Sequence, residues 1–134
     1  ERPFAHALDA LCHYALADDA APLETAVADL RAADAKHRLA YTLTRAAFLD
    51  LERGRPKAAV ARASEALELA ETLNRPTEIL LAHAALARAS EELADKDAYA
   101  RHAAALESLA GAPVAQWARA RAAAVTAGLP EVRP

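Results

Sequence analysis

The chain has 134 residues, of which 41 are alanine, 19 are leucine and three are glycine, a composition that favours packed α-helices over β-sheet or disorder. Its formal net charge is −3, with both signs interspersed, so nothing in it favours direct nucleic-acid binding or attachment to an anionic membrane. We therefore expect one domain of the all-α class.

Apolar residues recur with helical period in seven segments that are separated by short links. Pro22, Pro56, Pro76 and Pro113 each stand at the start of such a segment, where a helix tolerates proline. Because the links are too short for crossovers, neighbouring helices are expected to pack antiparallel as αα-hairpins. The predicted helices span residues 4–18, 22–34, 36–53, 56–73, 76–94, 96–110 and 113–127.

The first predicted helix has an apolar stripe that includes Leu8, and a polar face with two histidines. His6, Asp9 and His13 share that face, but the two histidines are about 10 Å apart along the axis, too far for one metal ion. We therefore predict a polar face without a metal. Cys12 cannot pair with His13 for catalysis, because adjacent helical residues point about 100° apart. It is predicted to be buried, as free cysteines usually are.

The third and fourth helices are joined by a turn that is flanked by small residues. Leu43 is followed four residues later by Ala47, the turn begins at Gly54, and small residues recur from Ala59 onward. Small residues are needed where two helices cross, because only they let the backbones approach to about 8 Å. The pattern predicts two helices that cross at Ala47 and Ala59.

This pattern resembles the tetratricopeptide repeat, a helix–turn–helix unit of about 34 residues. Trp117 stands eleven residues before Gly128, as Leu43 stands eleven before Gly54, so Trp117 falls in the tryptophan slot of a last, incomplete unit. The resemblance covers essentially the whole chain and implies a right-handed α-solenoid. The implied repeats span about 4–34, 36–73 and 76–110, with a half repeat at 113–127.

In tetratricopeptide proteins the first helix of each pair lines a concave groove that binds the ligand, and the resemblance assigns residues to that groove. An exposed Tyr41 and Phe48 would supply aromatic anchors for a ligand. The alternative is that both rings belong to the core. The residues assigned to the groove are His6, Asp9, His13, Tyr41, Thr44, Phe48, Glu52, Arg88 and Glu92.

The resemblance implies a module that binds a protein or peptide partner within a larger bacterial regulatory protein. The units of about 40 residues are similar to the helical sensor regions of bacterial transcription activators, so a small-molecule sensor is the alternative. The sequence lacks a glycine-rich phosphate loop and the HExxH, CxxC and GxSxG motifs, so we predict neither an enzyme nor a cofactor.

The last predicted helix lacks the partner helix that would complete its unit. Its stripe is expected to pack on the sixth helix, while Val114, Trp117 and Val125 remain open on the side of the missing partner. That open side is expected to form a homodimer or to dock the next segment of a parent protein.

The remaining charged and titratable residues are expected to be structural. His83 and His102 are expected to be packed or solvated residues of their helices, and Asp18, Arg55 and Arg62 to be solvated charges. A cytoplasmic protein is predicted, because the single cysteine forms no intramolecular disulfide and the chain has neither a signal-peptide pattern nor a long apolar run. The start at Glu1, without methionine, predicts a fragment or a processed product.

Overall fold

The computed structural model describes residues 2–131, and every element of secondary structure in that range is an α-helix. This confirms the predicted all-α class, and most helix ends agree with the sequence to within two residues. None of the helices in residues 2–131 is both long and apolar enough to span a membrane. The helices are α1 (Arg2–Ala17), α2 (Ala21–Ala32), α3 (Lys36–Glu52), α4 (Pro56–Thr72), α5 (Pro76–Glu92), α6 (Lys96–Ser108) and α7 (Gln116–Val125).

The middle of the chain has a regular period of 20 residues. Four successive helices begin at Lys36, Pro56, Pro76 and Lys96, and three-residue links join them. At the end of each helix from α2 to α5, the second link residue adopts a positive φ, and the third donates its N–H to a carbonyl five residues back. This Schellman geometry ends the helix and reverses the chain. The N–H donors and their acceptors are Ala35 to Leu30, Arg55 to Asp50, Arg75 to Ala70 and Asp95 to Ser90.

Consecutive helices pack on one another as hairpins from α1 to α6. The odd-numbered helices also pack in succession, α1 on α3, α3 on α5 and α5 on α7, and so form one layer. Since each helix from α1 to α6 reverses direction at a tight link, α1, α3 and α5 run the same way. The arrangement is an all-α, solenoid-like stack, as predicted.

Alanine forms most of the surface along which the helices meet. Ala47 and Ala59, the predicted crossing residues of α3 and α4, are both fully buried, and Leu43 is buried beside them. Side chains of this size allow the close approach that the crossing requires. The alanines with no exposed surface are Ala7, Ala46, Ala47, Ala59, Ala63, Ala66, Ala82, Ala84, Ala85, Ala89 and Ala118.

The first helix faces the core with a different stripe from the predicted one. Leu8 is 40% exposed and Cys12 is exposed, so the prediction of a buried Cys12 is wrong. The buried residues of α1 include Leu11 and Tyr14, and Tyr14 hydrogen-bonds to Asp50 of α3. The helix is therefore rotated so that Tyr14 points inward, which turns Cys12 toward solvent.

The last helix departs from the prediction in its start and in its packing. It begins at Gln116, because residues 109–115 form a link longer than the other five. It packs on α5 and not, as predicted, chiefly on α6. Ala118 and Ala122 face the core formed by α3 and α5, and Arg119 donates to Leu109 O at 3.2 Å within the link. The longer link lets α7 lie over α5.

Candidate functional site

A cleft of about 310 Å³ lies where the last turns of α3, α5 and α7 meet. Apolar residues of α3 and α7 line the cleft, together with charged residues of all three helices. We call it the α3–α5–α7 cleft. The lining residues are Phe48, Leu51 and Glu52 of α3, Arg88 and Glu92 of α5, and Arg121, Ala124 and Val125 of α7.

Arg88 fixes the α7 wall of the cleft to α5. Its Nε donates a hydrogen bond to Val125 O at 2.8 Å, and a terminal nitrogen donates to Ala127 O at 2.6 Å. Val125 is the last residue of α7 and Ala127 lies in the turn that follows it, where the helix itself supplies no N–H partner. The guanidinium therefore caps α7 and holds it across the cleft from α3.

Arg121 reaches from α7 toward α3 and closes the opposite side. Its guanidinium carbon lies 4.8 Å from the centroid of the Phe48 ring, within the range of a cation–π interaction. One of its terminal nitrogens is 4.0 Å from a carboxylate oxygen of Glu52. Both charged side chains of that pair are well exposed, so the pair is weak and water-accessible.

Four of the nine predicted groove residues converge on this cleft. They are Phe48 and Glu52 of α3, and Arg88 and Glu92 of α5. These two helices begin 40 residues apart in the chain, at Lys36 and Pro76. Phe48 is only 3% exposed, so its ring forms the floor of the cleft and also belongs to the core. It is therefore not the free surface anchor that one of the two interpretations of the sequence required.

The other two predicted residues of α3 do not line the α3–α5–α7 cleft. Thr44 is fully buried, and its hydroxyl donates to Ala40 O at 2.8 Å, so its assignment to the groove is wrong. Tyr41 is half-buried, with its ring against Phe4 and the Arg45 guanidinium 3.7 Å from its centroid. α3 is in contact with four other helices, which leaves little of its circumference open.

The predicted residues of α1 lie away from the α3–α5–α7 cleft. His6 and Asp9 line a separate surface depression with residues of α2 such as Thr25 and Asp29. His13 Nε2 is 3.7 Å from a carboxylate oxygen of Asp9, and both side chains are exposed. Across residues 2–131, no group of three or more histidine, cysteine or acidic side chains is arranged to hold a metal.

A buried polar network joins α1, α3 and α4, and it was missed from the sequence. The Tyr14 hydroxyl donates to Asp50, which is completely buried, and Arg62 Nε lies 2.9 Å from the other carboxylate oxygen. That second contact is an ion pair without good hydrogen-bond alignment. Burial raises the pKa of Asp50, and the contacts with Tyr14 and Arg62 oppose this rise.

Charges near the C-terminal end of α1 extend this network. The side chains of Asp18 and Arg55 remain accessible to solvent, as predicted, whereas the prediction of a solvated charge is wrong for Arg62. Asp18 pairs with Arg53 at 2.6 Å and also with Arg55. The hydrogen bond from Arg55 is the main cause of the lowered pKa of Asp18. Arg53 donates to Tyr14 O at 2.7 Å and so caps α1. Arg62 is nearly buried between helices. The network fastens the first hairpin to the second, which is a structural role.

Two histidines form a second polar contact, between α5 and α6. His83 Nδ1 and His102 Nδ1 are 3.0 Å apart, with ring centroids 5.2 Å apart. At that separation one ring must carry its proton on Nδ1 and the other must accept it. Burial lowers the pKa of both groups, and with the nearby His83 it brings the pKa of His102 to about 4.

The predicted open face of α7 is smaller than the sequence indicated. Val114 and Val125 are half-buried against α5, whereas Trp117 is 54% exposed. The Arg45 guanidinium lies 5.5 Å from the Trp117 ring and pairs with Glu78 at 3.2 Å. Of the three predicted interface residues, only Trp117 therefore offers a large exposed apolar surface.

Comparison of the chain with models of protein families, with curated proteins and with solved structures finds no match.

Proposed function

We propose that this chain is a tetratricopeptide-like helical module that binds a short segment of a partner protein in the α3–α5–α7 cleft. The observation that carries the proposal is the convergence of Phe48, Glu52, Arg88 and Glu92 on one cleft. The family resemblance assigns these four residues to the ligand groove from sequence spacing alone. Their meeting in space supports both the assignment and the cleft as the binding site.

The shape and lining of the cleft suit a few side chains of an extended or helical segment. Phe48, Leu51 and Val125 give it an apolar floor, while Glu52 and Glu92 stand exposed at its edge. An apolar centre with a polar rim is the usual arrangement of a protein-binding surface. The floor would supply the binding free energy, and the rim would select among partners.

A small metabolite is the competing occupant. The volume of about 310 Å³ falls at the lower end of the range of small-molecule pockets, roughly 300–1,000 Å³. The cleft opens widely to solvent along Glu52 and Glu92, which favours a segment that continues beyond it. The test must still include metabolites.

The test is selection of peptides from a random displayed library on the 134-residue chain, followed by calorimetric titration of the selected peptides. Ala124→Trp should weaken their binding at least about tenfold, because Ala124 is exposed and lines the cleft, which the indole would fill. Ala123→Trp is the matched control, since Ala123 is exposed on the same helix and does not line the cleft.

Equal binding by both tryptophan variants would place the peptides elsewhere and refute the proposal. A metabolite set tested by thermal shift, with the same two variants, addresses the alternative. A metabolite that stabilises the Ala123→Trp protein but not the Ala124→Trp protein, while no peptide is selected, would assign the cleft to a small molecule.

A further inference from the structure

The α3–α5–α7 cleft is formed by the C-terminal ends of three helices. Glu52 is the last residue of α3, Glu92 is the last residue of α5 and Val125 is the last residue of α7. All three line the cleft. The C-terminal end of a helix carries roughly half a negative charge from the aligned dipoles of its peptide groups. The backbone therefore creates a negative potential in the cleft before any side chain is considered.

Glutamate side chains add to this negative potential, although a glutamate at a helix C-terminus lowers the stability of the helix. A carboxylate at a helix C-terminus interacts unfavourably with the helix dipole, and a basic residue there is favourable. α3 and α5 nevertheless end in glutamate, and neither has a basic residue in its last turn. The two glutamates therefore add to the negative potential of the helix ends.

The two arginines of the cleft do not neutralise it. Arg88 donates both of its hydrogen bonds to the carbonyls of Val125 and Ala127, so part of its charge is offset by the C-terminal end of α7. Arg121 is shared loosely between Glu52 and the Phe48 ring. Glu92 has no ion-pair partner among residues 2–131. The unmatched charge of the cleft is therefore negative.

Arg121 also illustrates how a cation binds here. Its guanidinium lies over the face of Phe48 and beside the carboxylate of Glu52. An aromatic face and a carboxylate are the two groups that most favour a guanidinium or an ammonium. Since the distance to Glu52 is 4.0 Å and Arg121 is exposed, a ligand cation can displace it.

We propose that the segment bound by this cleft is basic. A lysine or arginine side chain faces Glu52 and Glu92, and a neighbouring aliphatic side chain lies on Phe48, Leu51 and Val125. The inference rests on the proposed function, because it names the chemistry of the peptide that the cleft binds. Charge complementarity and the three helix ends select this occupant over an acidic or neutral segment.

The experiment uses the peptides selected from the random library on the 134-residue chain, without any bias in charge. The selected peptides should be enriched in lysine and arginine next to aliphatic residues. Glu52→Gln with Glu92→Gln should weaken their binding about five- to tenfold, as expected for the loss of two partly exposed ion pairs. Glu68→Gln with Glu71→Gln changes the net charge equally at two exposed positions of α4 and should leave binding unchanged.

Arg121→Gln gives a test in the opposite direction. Its removal frees Glu52 and the Phe48 face, so the same basic peptides should bind about two- to fivefold more tightly. Weaker binding by this variant would mean that Arg121 contacts the ligand and that the cleft does not select cations.

The outcomes separate this inference from the proposed function. Selected peptides that are acidic or neutral, and that are lost in Ala124→Trp, would uphold the cleft as a peptide site and overturn its selectivity for basic segments. If the two double variants, at Glu52 and Glu92 and at Glu68 and Glu71, weaken the binding of basic peptides equally, the peptides are attracted to the chain in general. That result would also overturn the inference. Failure to select any peptide that Ala124→Trp weakens would overturn both proposals.

Discussion

Arg62 of α4 places its Nε 2.9 Å from a carboxylate oxygen of Asp50 of α3, and this carboxylate has no exposed surface. The other oxygen of Asp50 accepts a hydrogen bond from the Tyr14 hydroxyl of α1. A buried charge is tolerated only when it is paired, because its transfer from water is costly. These three side chains therefore join α1, α3 and α4 through one buried polar contact.

Removal of the positive partner should be strongly destabilising. Arg62→Leu leaves the buried Asp50 carboxylate without its charge partner and should reduce the free energy of unfolding by about 3 kcal/mol. The matched control is Arg31→Leu, which removes the partner of Glu65 from a surface ion pair in which Arg31 is exposed and Glu65 half-buried. That loss should be below about 1 kcal/mol.

The two free energies are measured by urea denaturation at pH 7, followed by far-ultraviolet circular dichroism. Equal losses in Arg62→Leu and Arg31→Leu would contradict the structural role of the network. Asp50→Asn should lose less than Arg62→Leu, because a neutral amide needs no charge partner and can still bond to Tyr14.

Acidification should weaken the contact between α5 and α6. Burial lowers the pKa of His83 and of His102, the latter to about 4, below the unfolded value of about 6.5. The unfolded chain therefore binds more protons between pH 6.5 and 4, so the stability from the neutral pair is present above pH 6.5 and is lost as pH falls toward 4. Two protonated rings would also set two N–H donors against each other.

Thermal unfolding at pH 7 and pH 5 tests this linkage. The melting temperature should fall more from pH 7 to pH 5 in the wild type than in His102→Gln, because the glutamine has no proton to gain. His37→Gln, which alters an exposed histidine of α3, is the control and should behave like the wild type. An identical loss in the wild type and in His102→Gln would show that the histidine pair does not respond to pH in this range.

The helices could be predicted closely where proline and left-handed residues mark their ends. Pro56 and Pro76 occupy the first positions of α4 and α5, and Gly54 and Asn74 adopt the positive φ that ends the preceding helices. The exact register of α1 could not be predicted, because alanine and leucine extend beyond one stripe and leave its rotation open by part of a turn. Its rotation depends on Tyr14, which contacts Asp50, a residue 36 positions away.

Two walls of the candidate site could be predicted and the third could not. Phe48, Glu52, Arg88 and Glu92 recur at equivalent positions of α3 and α5, so one spacing rule locates them all. The third wall depends on how α7 packs after the link at residues 109–115. That packing combines buried Ala118 and Ala122 with contacts of two long side chains, Arg88 and Arg121, whose direction no sequence period specifies.

The homodimer through α7 stays a prediction. Of its three predicted interface residues, Trp117 is the one that is well exposed. Trp117 is 54% exposed, whereas Val114 and Val125 are half-buried. We expect sedimentation equilibrium to show self-association at high concentration that Trp117→Gln removes. Leu16→Gln, a change at an 87% exposed position of α1, should leave the association intact. A monomer at every concentration would contradict this prediction.

The most direct test of the binding site is the set of backbone amide shifts of the chain during titration with a selected basic peptide. The largest changes are expected in the last turns of α3, α5 and α7, at Leu51, Glu92 and Val125. Changes confined to the depression beside His6 and Asp9, or to the exposed surface around Trp117, would contradict the proposed binding site.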